Sequence, residues 1–362
     1  MRTWIPAKPW TWLRVLLLAL LLAGLQGNAA GGCGDRDKAC LLAAFNQHPA
    51  RALATWEAAL RKPLVERIGA ASASLVNYVS LDNLINAYPE RPRATALDPE
   101  LLRDAKAAFG EIPPSIQALF QERLAGIFFL EDLGSTGYTE YIRNSAGERV
   151  ASFVILDAGV LKPFSANAWA SWKENTPFKP ESGYALKALI ENPGQDNRKN
   201  AIQYILLHEL GHVFSVGRDF HAPWDLPQKP APQGTYPFLD LSWAAASEAD
   251  KVASRFDDVF PQRKNVVYYG RAKLDGAQMV QTYSNLEATN FPTLYATTRP
   301  GDDFAEAFAS YVHVVLLGRP WRITIERDGQ LAKVIESCWS QARCAQKRRM
   351  LEQLLAPAGK GK

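Results

Sequence analysis

Apolar positions recur at helical intervals near the start of this chain, predicting helices over Cys40 to Gln47, over Pro49 to Arg61, and from Pro63 into Ala73 to Ile85. Tyr88 to Leu97, with its Pro and Arg residues, breaks that pattern and reads as a linker. Helical spacing returns over Pro99 to Phe109 and Pro114 to Ala125, followed by a short apolar strand from Gly126 to Leu130. Gly137 to Arg143 and Glu148 to Asp157 are β-rich runs on either side of Asn144-Ser145-Ala146-Gly147, the pattern of a hairpin. Asn167 to Lys173 and Tyr184 to Glu191 are predicted as short helices.

Ala201 to Phe214 is apolar on nearly every side, so it predicts a central helix covered on several faces. Asp196, Asn197 and Asn200 offer N-cap side chains, and Gly217 suits the position just past its end. A long stretch rich in Pro and aromatics, 217–300, leads to a second helix. There Phe304, Ala307, Phe308, Tyr311, Val312 and Val315 share a core-facing spacing, and Asp302 or Asp303 can cap the start. Trp321 to Arg327 and Gln330 to Ile335 flank the turn Asp328-Gly329, and a helix from Gln341 to Leu355 ends the pattern. The expectation is an α+β fold with a helical N-terminal region over 31–95 and a main domain over 96–362.

The central helix carries His208-Glu209-Leu210-Gly211-His212, an HExxH motif. Residues four apart lie one above the other on a helix, so both imidazoles can reach one metal ion. Glu209 then stands beside that ion, where it can take a proton from zinc-bound water and pass it to a leaving amine. The chain has only five His, so a chance match is a poor explanation. Two histidines and a Glu in so apolar a helix would leave several polar groups to satisfy without a metal.

A catalytic zinc of this kind takes three protein ligands. In the pattern HExxHxxGxxH the Gly would fall at Ser215 and the last His at Arg218, so that pattern fails. His221 remains an option for the third position, but Glu306 is the stronger one. It lies among core-facing residues, where a carboxylate is costly unless it is paired or bound to a metal. The competing reading of Glu306 is a capping box with Asp303. His313 lies two turns further along the same face and needs no catalytic role.

HELGH followed by a helix carrying Phe304-Ala305-Glu306-Ala307-Phe308 resembles the gluzincin metallopeptidases, especially the branch that contains the anthrax lethal factor protease domain. The resemblance covers the two ligand helices. It implies a zincin-like domain, one catalytic zinc held by His208, His212 and Glu306, Glu209 as base, and a peptide or protein substrate. Such enzymes commonly add a Tyr that hydrogen-bonds the oxyanion. Tyr295 is the candidate, although it stands further from Glu306 than that group's spacing, and Tyr283 competes with it. Those folds also pair extended substrate with a strand bordering the cleft, for which Val150 to Leu156 is the candidate edge. Two other readings remain open: a non-catalytic zinc-containing envelope or binding protein, and a zinc amide hydrolase acting on cell-wall peptide.

Arg2, Lys8 and Arg14 precede an apolar run from Val15 to Leu25, with small residues at Gly27, Ala29 and Ala30, so 1–30 reads as a secretory signal peptide. That run is shorter than the about twenty residues needed to span a membrane, and no other long apolar segment follows. Export suits the four Cys, whose spacing favours the local disulfides Cys33 to Cys40 and Cys338 to Cys344. The competing possibility is lipidation of Cys33. Net charge is +4, and removal of 1–30 leaves 38 basic against 37 acidic residues, which gives no support for nucleic acid as a partner.

Overall fold

The computed structural model describes residues 32–221, 234–244 and 253–356, so the expected signal peptide over 1–30 lies outside the described residues. Its main elements, in chain order, are α1 (Lys38–Asn46), β1 (Ile68–Ala70), α2 (Ala73–Ile85), α3 (Pro99–Gly110), β2 (Leu124–Leu130), β3 (Gly137–Arg143), β4 (Arg149–Asp157), α4 (Ala166–Asn175), β5 (Tyr184–Leu189), α5 (Arg198–Ser215), α6 (Met279–Glu287), α7 (Pro300–Tyr311), β6 (Arg322–Arg327), β7 (Gln330–Glu336) and α8 (Ala345–Leu355). The fold is mixed α+β, with small sheets. No helix among the described residues is long and apolar enough to cross a membrane.

The larger sheet runs in the order β1-β2-β4-β3, with β1, β2 and β4 parallel and β3 antiparallel to β4. Strand β4 reads as an unbroken apolar run because both of its faces are covered. Phe153 and Ile155 pack with Trp56, Leu75, Tyr78 and Val79 of the N-terminal region. Val154 and Leu156 face the opposite core, which holds Leu206, Leu207 and Leu210 of α5. The candidate edge Val150 to Leu156 is therefore corrected: β4 is internal, paired with β2 on one side and β3 on the other, and the marginal strands are β1 and β3.

The sheet crosses the boundary expected near Thr95. β1 lies in the N-terminal region and pairs with β2, while Arg93 of the expected linker bridges to Glu131. Several element expectations also shift. Pro49 to Arg61 is two 3-10 turns and a short helix, Glu57–Leu60, and Pro63 leads through another 3-10 turn into β1. The helix from Pro114 stops at Gln117 and continues only as a 3-10 turn, so β2 begins at Leu124.

Tyr184–Leu189 is a strand rather than a helix, joined to β6 in a second, antiparallel sheet of order β7-β6-β5. Leu186 and Ala188 are buried while Ala185 and Lys187 are exposed, a period of two. Ala, Leu and Lys are good helix formers, and sheet pairing overrides that propensity here. The Asp328-Gly329 turn is as expected, with positive φ of 50° and 75° at the two residues, the conformation that lets two twisted strands join directly. The disulfides are Cys33 to Cys40 and Cys338 to Cys344, which commits the Cys33 sulfur to a bond other than lipid.

Candidate metal centre

Helix α5 starts where Asn197 accepts a hydrogen bond from the Asn200 backbone N–H. It ends at Ser215, and Gly217 just beyond, with φ of 66°, turns the chain away so closely to β4 that a Cβ would stand 2.9 Å from the Arg149 carbonyl. Between these ends, His208 and His212 present their Nε2 atoms to each other at 3.2 Å. Bonds of about 2.0–2.1 Å to one tetrahedral ion would place two nitrogens at about that separation. Asp302, in the first turn of α7, brings Oδ1 to 3.6 Å from His212 Nε2. Ligand atoms of His208, His212 and Asp302 all lie within 4.8 Å of one another, so this group could hold a metal ion. The Thr298 hydroxyl donates to Asp302 Oδ2 and fixes that carboxylate.

Glu306 occupies a different place from the one expected of it. Its Oε1 meets His208 Nδ1 at 3.0 Å and accepts from Lys173 Nζ at 2.9 Å, and its Oε2 accepts from the Thr293 hydroxyl at 2.7 Å. The carboxylate is thus spent on the far side of the His208 ring, with Nδ1 donating to it and Nε2 left to face His212. Such a partner sets the tautomer and aim of a metal-binding imidazole. The cluster that could hold an ion contains Asp302, while Glu306 stands behind it at His208 Nδ1; the capping-box reading falls, because the Glu306 side chain points at His208 and Lys173 instead of its own helix start.

Burial opposes charge on Glu306, yet Lys173 and the His208 hydrogen bond hold its carboxyl well below the usual carboxylate range. Asp302 is also held low despite burial, chiefly by the His212 imidazole beside it. The two carboxylates therefore stay ionised and available as acceptors.

The two helices meet at Gly211. A Cβ there would lie 2.7 Å from Ala305 Cα and 3.0 Å from its carbonyl oxygen, so only Gly allows this approach of α5 to α7. That contact carries Asp302 to His212 and Glu306 to His208. The first turn of α7 is anchored again from behind, where Asp303 is buried with Lys347 of α8 and accepts from Trp243 Nε1 at 3.0 Å. Trp243 and Phe238, which lies 4.9 Å from the Phe304 ring, are thus packing anchors of the long connection, and Trp224 lies outside the described residues.

Glu209 is 5% exposed, and its Oε2 accepts from the Thr139 hydroxyl at 2.5 Å. Gly137 presses on the same carboxylate so tightly that a Cβ would stand 2.5 Å from Oε1. Both residues belong to β3, so the edge strand passes directly over the HExxH glutamate.

Tyr295 lies beside His208, the two rings tilted at 34° with centroids 5.4 Å apart. Burial and the nearby Asp302 push its phenol well above the ordinary value, which keeps it a hydrogen-bond donor. Tyr283 is excluded as an alternative, since its hydroxyl is buried and donates to Glu174. His221 packs beside Phe304, outside the ligand cluster. His313 is buried against Tyr204 and donates from Nε2 to the Ile190 carbonyl, also away from the cluster.

Asp302, Thr139, Gly137, Thr293 and Lys173 are the site residues that sequence reasoning did not assign. Asp302 had a usable signal: it lies four residues before Glu306, on the same face of the same helix. No family model, curated protein or solved structure matches this chain.

Proposed function

We propose that this protein is a zinc-dependent peptidase of zincin architecture, with His208, His212 and Asp302 as metal ligands. The observation that carries the reading is the pairing of His208 and His212 Nε2 at 3.2 Å with Asp302 alongside, next to Glu209 and an edge strand. Zinc bound there would supply Lewis acidity, polarising the scissile carbonyl and lowering the proton affinity of water. Glu209 takes the proton from the attacking water and delivers it to the leaving amine, and Thr139 holds its carboxylate in place for both transfers. Tyr295 donates its hydroxyl hydrogen to the oxyanion that forms on the former carbonyl. Ala52 bridges the Arg143 end of β3, and the margin nearer Gly137 and Thr139 receives the substrate as an extended strand, with main-chain hydrogen bonds that tolerate many side chains.

An Asp in the third-ligand place departs from the Glu that the likeness to the lethal-factor branch implies. Tyr295 precedes Asp302 by seven residues rather than the eleven that separate it from Glu306, which moves it toward that group's closer spacing. Two disulfides are consistent with an exported protein, which is where we place the activity.

Metal analysis tests the ligand set. The purified wild type should hold one zinc per chain, and Asp302→Ala should lose affinity by more than the about 10–100-fold typical of a supporting carboxylate. Full zinc retention in Asp302→Ala, with loss in Glu306→Ala, would return the third-ligand role to Glu306.

A further inference from the structure

Lys173 of α4 is 4% exposed and takes no part in the chemistry described above. Its ammonium donates to Glu306 Oε1 at 2.9 Å, stands 3.9 Å from Glu174 Oε1, and lies 4.5 Å from the centre of the Tyr295 ring. Burial opposes the charge, but the Glu306 and Glu174 carboxylates more than offset it and hold the ammonium above its ordinary pKa. A buried charge is costly to keep unless its partners are well placed. Here both partners lead somewhere specific. Glu306 holds the imidazole of His208, and Glu174 is itself fixed by the hydroxyls of Tyr268 and Tyr283 at 2.8 and 2.7 Å. Tyr268 then returns to the site, edge-on to Tyr295 at 4.7 Å.

From this geometry we infer that Lys173 is a positioning residue of the metal centre, acting on the His208 imidazole through Glu306 and on Tyr295 through the face of its ring. The inference rests on the metal-centre reading above. Glu306 Oε1 accepts from Lys173 and His208 together, so the ammonium determines where that oxygen sits and hence how the imidazole is aimed. With Lys173 removed, Thr293 is the remaining clamp on Oε2, and the carboxylate is free to pivot about it. The same ammonium lies against Tyr295, where an attraction between cation and ring resists displacement of the phenol. A pair serving stability alone would have no reason to end on a metal-binding imidazole at one side and on the ring beside that imidazole at the other.

The test is a double-mutant cycle on the full chain with Lys173→Met, Glu306→Gln and the double variant. Zinc affinity is read by chelator competition, and ligand geometry by the visible spectrum of the cobalt(II)-substituted protein. Each single variant should bind zinc about 10–100-fold more weakly than wild type. The Lys173→Met cobalt spectrum should shift, and the double variant should bind within about threefold of Glu306→Gln, since the two residues act through one path.

An unchanged zinc affinity and cobalt spectrum in Lys173→Met would overturn the inference, as would losses that multiply in the double variant. If Lys173→Met fails to fold, the double variant lacks the orphaned Glu306 charge, and its comparison with Glu306→Gln decides the same question. A wild type that binds neither zinc nor cobalt would overturn the metal-centre reading together with this inference. Tight wild-type binding that Lys173→Met leaves intact overturns the inference alone.

Discussion

Asp302 and Glu306 reach toward His212 and His208 from successive turns of one helix, and their existing partners differ. Glu306 is enclosed by Lys173, Thr293 and His208 Nδ1, whereas Asp302 keeps Oδ1 directed at His212 Nε2. Tyr295, proposed as the oxyanion donor, stands beside His208. Tyr295→Phe removes only the hydroxyl, so kcat should fall by about 10²-fold with KM little changed, as for loss of one oxyanion donor; steady-state kinetics on a cleaved peptide would show it, and an unaltered kcat would remove Tyr295 from the reaction. His208, Glu209 and His212 were legible in the sequence because their geometry is contained within one helical turn. Asp302 was read as a helix cap, a role that suits Asp in a first turn equally well. Lys173 gave no local signal, since its partner Glu306 lies 133 positions away.

At the scale of elements, the crossing of α5 and α7 at Gly211 decides whether the two halves of the site meet. Gly211→Ala introduces a methyl group 2.7 Å from the Ala305 backbone, so the helices must separate. Overpacking of this kind costs about 1–3 kcal/mol, and zinc affinity should fall with it. Thermal unfolding and zinc titration together measure both effects, and unchanged values in both would contradict the close-contact account. The turn that follows α7 supplies a pH dependence. Burial lowers the His313 pKa to about 4, against 6.5 for an exposed histidine, with nearby Arg319 adding to the fall. The unfolded chain therefore takes up this proton first as the solution is acidified. The stability from neutral His313 is complete above about pH 6.5 and is lost progressively toward pH 4, to a total of roughly 3 kcal/mol. Denaturant unfolding of wild type and His313→Gln across that range should show a steeper pH slope in the wild type; parallel curves would refute the assignment. The hairpin of β3 and β4 and that of β6 and β7 were readable from local turns. Tyr184–Leu189 was not, because its pairing with β6 comes from a segment far along the chain.

Across the whole molecule, the sheet is shared between regions that the sequence pattern separates. The N-terminal segment contributes β1 and covers one face of β4, while α5 covers the other, so the strand over the site is braced from both sides. A parallel pairing such as β1 with β2 joins distant segments and leaves no local mark in the sequence. That arrangement leaves β3 at a margin of the sheet with Glu209 beneath it, where the proposed function seats an extended substrate. The central claim is that Glu209 performs proton transfer at a bound zinc ion. It is tested most directly by incubating a peptide library with zinc-loaded wild type and with Glu209→Gln, and reading cleavage by mass spectrometry alongside metal content. Wild type should cleave and Glu209→Gln should not, with one zinc per chain in both; cleavage by Glu209→Gln at the wild-type rate, or an inert zinc-loaded wild type, would rule out proton transfer by Glu209.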